Sequence, residues 1–129
     1  MKWRLVRRRR RRASSITKHY LEHKVAARAL ILSKLLYWNQ FYNLPFNKVA
    51  IRNTKRSWGS CTSLKNLNFS YRLLFLPERL QDYIIVHELC HLQELHHRES
   101  FWLLVAEQIS DYTERIIELK YIEKNAKIT

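Results

Sequence analysis

Between about Ser14 and Asn39 apolar residues recur at intervals of three and four. Leu21, Val25, Ala29, Leu32 and Leu36 form one stripe of a helical repeat. The pattern predicts a long helix with this stripe turned to a core and Lys18, Glu22, Lys24, Arg28 and Lys34 largely off it. Asn43, Leu44 and Pro45 then punctuate the chain. Val49–Arg52 reads as a short strand. Leu67, Phe69, Tyr71 and Leu73 alternate with Asn68, Ser70 and Arg72, a period of two that predicts a strand with one buried face. The stretch 54–66 between them is polar and holds the single glycine, Gly59, which marks either a positive φ or a close approach of another group. Pro77 opens a further helix, where its missing N–H costs nothing, and Leu80, Tyr83, Ile84, His87 and His91 share one side of it. Two more helices are expected, at about 100–109 and 111–124. Asp111 and Glu114 stand as a capping box at the start of the second.

A chain of 129 residues, 47% hydrophobic, can build one core, so a single domain is expected. No apolar run approaches the ~18 residues of a membrane-spanning helix. Two cysteines and no export signal point to a reducing cytoplasm and away from a disulfide scaffold. One glycine excludes a Gly-rich phosphate loop. The expectation is a cytoplasmic protein with no membrane partner.

Charge divides the chain. Residues 1–60 hold 16 Lys/Arg against the single acid Glu22, whereas residues 61–129 hold 8 bases and 10 acids. The densest part is Arg7–Arg12, six arginines in a row. Such a run suits phosphate contacts with nucleic acid, or it is a solvated tail; no aromatics interleave it to stack bases. Residues 1–13 are therefore set apart as a flexible basic lead, with residues 14–129 as the folded domain.

The chemistry concentrates in His87-Glu88-Leu89-Cys90-His91, an HExxH pattern in an apolar helical setting. Residues four apart on a helix stand one above the other, so both imidazoles can reach one ion. Glu88 lies about 100° round the axis from His87, close enough to act on a water there without being a ligand. A catalytic zinc takes three protein ligands and keeps a fourth place open. If the helix continued, His97 would face away from His91, so the helix must end near Glu94 or Leu95 for His96 or His97 to return to the ion. Glu107 or Glu114 from a later helix is the alternative; a nearby histidine costs less loop closure.

The ordered set Trp58-Gly59-Ser60-Cys61, Leu73–Pro77, Asp82-Tyr83, His87–Leu92, His97, Phe101-Trp102 and Asp111-Tyr112 resembles the YgjP-like zinc metallopeptidases, relatives of the SprT-like proteins at the level of the metal site. The resemblance spans about Ser14 to Lys120. It implies an α+β, zincin-like minimal metallopeptidase domain: a long N-terminal helix, a small antiparallel sheet, the HExxH helix and C-terminal helices. It also implies zinc bound by His87, His91 and His97, with Glu88 as general acid/base in peptide hydrolysis. The family usually carries Asn before the third histidine, and often Pro and Ser at the positions of Leu95 and Arg98; here His96, Leu95 and Arg98 stand there.

A peptide or protein substrate follows from that reading, bound extended along a sheet edge. The rival reading is a nucleic-acid-binding protein with a structural zinc closed by a fourth ligand such as His96 or Cys90, or a peptidase recruited to nucleic acid by its basic N-terminus. His96, Tyr112 and Ser60 are the candidates for stabilising an oxyanion. Cys90 and Cys61 read as packed thiols, His19 and His23 as surface groups, and Phe101 and Trp102 as core or pocket wall.

Overall fold

A computed structural model describes residues 2–128, with side chains for residues 18–125. Helix α1 spans Lys2–Tyr42 and is followed by strands β1 (Val49–Arg52), β2 (Gly59–Cys61) and β3 (Leu67–Ser70). A 3₁₀ turn over Tyr71–Phe75 leads to α2 (Glu78–His91), α3 (Glu99–Ala106) and α4 (Tyr112–Ile128). The α+β class stands. The side chains of Arg7–Arg12 lie outside the described residues, so the reading of the basic lead is not addressed there. The helical backbone itself begins at Lys2, well before Ser14. Nothing between Lys2 and Tyr42 is Gly or Pro, and arginine is a good helix former, so no residue stops the helix in that direction. Its other end is specific. Asn43 adopts the left-handed conformation (φ 54°), and Asn39 exchanges two hydrogen bonds with the Leu44 backbone.

The stripe of α1 that packs is not the one the period suggested. Ala27, Ile31 and Leu35 are the buried residues, set against α2 and the 3₁₀ turn. Of the expected stripe, Leu21, Val25, Ala29 and Leu36 are exposed, and only Leu32 packs, half-buried, against the core. The helix carries apolar residues on two faces, and spacing alone does not rank them. Lys34 and Trp38 fix the packing by both donating to Asp82 of α2, at 2.7 and 3.1 Å.

The sheet is mixed rather than antiparallel. Its order is β1-β3-β2, with β3 parallel to β1 and antiparallel to β2. The stretch 53–66 is long enough for the crossover a parallel pair requires, and it places β2 on the far side of β3 on its way. A tight turn closes β2 onto β3, where Lys65 takes a positive φ and Thr62 caps the amides of Lys65 and Asn66. The alternating strand signal ends at Ser70. Tyr71 and Leu73 are buried as expected, but in the 3₁₀ turn, which Ser70 opens by accepting the Arg72 amide. Leu67, Phe69, Leu73, Leu80, Ile85, Leu89, Phe101, Val105 and Ile109 form the core between sheet and helices.

Ile31→Ala should cost about 2–5 kcal/mol of stability in urea unfolding, whereas Val25→Ala should stay within about 0.5 kcal/mol. Equal losses would contradict the assigned face of α1.

Candidate metal centre

Helix α2 carries ten buried residues out of fourteen, and its last two turns present His87 and His91 on one side. The helix then stops at His91 with neither Gly nor Pro to stop it, earlier than the expected 94–95. Three groups make the stop. The amides of Leu92, Gln93 and Glu94 fold back onto the carbonyls of Leu89 and Cys90. Lys65 Nζ caps the carbonyl of Leu92 at 3.1 Å. His91 Nδ1 donates to the carbonyl of Glu94 at 2.8 Å, which turns the chain under the histidine.

That turn delivers His97. The three Nε2 atoms of His87, His91 and His97 stand 3.0–3.3 Å from one another. Hydrogen bonding does not account for the triangle. His91 spends its one proton on Glu94, so only the Nε2 atoms of His87 and His97 can point a proton inward, two at most for three edges. A tetrahedral cation about 2.0–2.1 Å from each nitrogen would hold them about 3.3 Å apart. The residues fit such an ion.

Burial suits the rings to this task. Burial, followed by the nearby His91 and His97, pushes the His87 imidazolium down to about 3, and burial likewise lowers His91. Both rings are thus held neutral, with lone pairs available. With Nε2 of His87 turned inward as a lone pair, its Nδ1–H donates to the Tyr83 hydroxyl at 3.0 Å. His97 is fixed by Trp102, whose ring stacks on it and whose Nε1 donates to the His97 carbonyl at 3.1 Å. Phe101 stacks on His91 at 4.3 Å, and Tyr112 stacks on Trp102 at 5.0 Å. Phe101 is therefore core and a wall of the centre at once.

Glu88 is only 6% exposed, and its Oε1 is buried with no hydrogen-bond partner. Burial raises its carboxyl to about 8. The reason for the single glycine lies here. Gly59 has no positive φ; a β-carbon on it would come 3.0 Å from Glu88 Cγ and 3.1 Å from the Asn68 carbonyl. Close approach, not turn geometry, favours the glycine. Trp58, Gly59, Tyr83, Ile84, His87, Glu88 and Leu119 line a cleft of about 190 Å³ beside the centre.

The remaining candidates fall away from the three histidines. His96 Nε2 pairs with Glu94 at 3.0 Å and its Nδ1 accepts the Arg98 amide. Cys90 is buried against Tyr42, and the Cys61 thiol turns to the Thr62 carbonyl. His19 and His23 lie against each other with rings tilted by 43°, His19 bonded to Tyr71 and His23 to the His19 carbonyl. Neither Glu107 nor Glu114 joins the cluster; among the described residues only His87, His91 and His97 gather three donor atoms around one point. Ser60 Oγ accepts from Asn68, and neither Ser60 nor Tyr112 is hydrogen-bonded to the three histidines. Asp111 does not form the expected capping box; its carboxylate pairs with Arg79 and Arg115 instead. Sequence reading missed the second ring of contacts. Tyr83 stands four residues before His87 and was legible by that spacing; the Glu94 carbonyl has no sequence signal.

The profile of the YgjP-like metallopeptidase domain matches residues 4–121. Two solved structures are similar. The metallopeptidase zymogen abylysin of Pyrococcus abyssi superposes with a TM-score of 0.56 at 25% identity, covering 68% of this chain and 92% of its own. The metallopeptidase zymogen jannalysin of Methanocaldococcus jannaschii gives 0.54 at 25% identity, covering 76% and 95%. A search of curated proteins returned no match.

Competition titration with a chromophoric chelator checks the ligand set. His97→Ala should weaken divalent-cation binding by at least about 100-fold, and His96→Ala by less than about threefold. A reversed ranking would contradict the assignment.

Proposed function

Because the chain belongs to the YgjP-like metallopeptidases, we propose that it hydrolyses peptide bonds with a zinc ion held by His87, His91 and His97, and with Glu88 as general acid/base. The observation that carries this reading is the convergence of three Nε2 atoms within 3.0–3.3 Å on a helix that also buries an unpartnered carboxylate oxygen. When bound, zinc would supply a water acidified toward a pKa of ~7 and a positive charge to polarise the scissile carbonyl. Three nitrogen ligands leave a fourth place for that water, as catalytic rather than structural sites require.

The other steps belong to the protein. Glu88 Oε1 takes a proton from the attacking water and returns it to the leaving amine nitrogen. Oε1 has no hydrogen-bonded neighbour to take the proton from it before it reaches the amine. The Tyr83 hydroxyl and the Glu94 carbonyl hold Nδ1 of His87 and His91, which fixes the rings with Nε2 inward. The substrate lies extended along β2, which pairs only with β3 among the described residues and whose Gly59 touches Glu88. The outer edge of β2 offers main-chain groups to a peptide, and the small residue lets its backbone approach the carboxylate. Two free cysteines, Cys61 and Cys90, suit a reducing compartment, and we place the enzyme in the cytoplasm.

Glu88→Gln should retain bound zinc and an unfolding midpoint no lower than wild type while peptide cleavage falls by ~10²–10⁴-fold. Wild-type turnover in that variant would remove Glu88 from the mechanism. Chelation should abolish cleavage in the wild type, and added zinc should restore it.

A further inference from the structure

Most of the α1 stripe with the spacing of a core stripe lies in solvent, Leu32 alone being half-buried against the core. Val25 and Leu36 are each 74% exposed and Leu21 52%, with Ala29 exposed beside them. This stripe sits about 120° round the helix from the packed face of Ala27, Ile31 and Leu35. Lys18, exposed, continues it at its N-terminal end, Arg28 borders it while donating to the Val49 carbonyl at 3.2 Å, and Glu22 is the one acid beside it. The run Arg7–Arg12 precedes it in the same chain, within a segment of 16 bases and one acid.

Three kinds of surface could cover such a face, and the two features together select among them. Nucleic acid would use the arginines, but its phosphates and sugars gain nothing from a row of Leu and Val. A second copy of this chain would cover the row, but it would also bring two strongly basic segments side by side. An anionic bilayer satisfies both features. The apolar side chains enter the boundary between headgroups and acyl chains, while Lys and Arg remain among the lipid phosphates and carboxylates. Lys18, at the end of the stripe, can extend its long stem to reach that level. None of the described helices is long and apolar enough to cross a membrane, so the helix would lie on the surface.

We propose that the Leu21–Leu36 face of α1, with the basic segment before it, docks this protein onto an anionic phospholipid surface. The inference is independent of the metal centre. None of its residues belongs to the metal centre, and the packed face of α1 is supplied separately by Ala27, Ile31 and Leu35.

The test is co-sedimentation of the full chain with vesicles of phosphatidylcholine alone and of phosphatidylcholine with phosphatidylserine, beside the variant L21Q/V25Q/L36Q. The wild type should pellet with the phosphatidylserine vesicles and not with the neutral ones. The variant should lose roughly tenfold or more in partitioning, because three apolar contacts are removed while every arginine remains. If the triple variant misfolds, V25Q and L36Q singly carry the same comparison, each with a smaller loss. Four results would overturn the proposal: no pelleting with either vesicle, variants that pellet like wild type, duplex DNA displacing vesicles equally from wild type and variant, or a dimer in light scattering that the substitutions split.

Discussion

One hydrogen bond organises the centre: His91 Nδ1 to the carbonyl of Glu94, at 2.8 Å. Its proton sets the tautomer of His91 and leaves Nε2 as an inward lone pair. Its acceptor belongs to the turn that ends α2, so the bond that orients the second imidazole also redirects the chain that brings the third. A helix continuing past residue 91 would carry His97 away from the ion. Lys65, projecting from the turn between β2 and β3, adds a second stop through the Leu92 carbonyl. Sheet and helix end are thereby coupled, and the ligand set depends on tertiary contact as much as on the HExxH spacing.

Around this turn the molecule accepts a costly arrangement. A carboxylate is buried with one oxygen unpartnered, and three imidazoles face one another across 3.0–3.3 Å. Each feature is unfavourable alone. A divalent cation held there would resolve both, since it would draw the three lone pairs inward and its positive field would oppose the burial penalty on Glu88. Gly59 belongs to the same arrangement, because the sheet edge approaches Glu88 so closely that no β-carbon fits without displacement.

Much of this was legible in the residues. The HExxH helix, β1 with its bounds, the helix that Pro77 precedes, and His97 in preference to His96 all followed from periodicity, spacing and the family pattern. The failures have physical causes. Helix α1 carries apolar residues on two faces, and only docking against α2 decides that Ile31 rather than Val25 is buried. Tyr71 and Leu73 kept their alternation while leaving the strand, because burial persists through the 3₁₀ turn. Parallel pairing of β1 and β3 reflects the path of 53–66, which no local pattern encodes. Hydrogen bonds to backbone carbonyls, such as that of Glu94, leave no mark on composition at all.

The account rests on a cation held by three imidazole nitrogens with one place left open. X-ray absorption of the zinc-loaded protein measures that shell directly. Three nitrogen scatterers at about 2.0–2.1 Å with imidazole multiple scattering and one oxygen are expected. A shell closed by a fourth protein ligand, whether sulfur or a further imidazole, would contradict it.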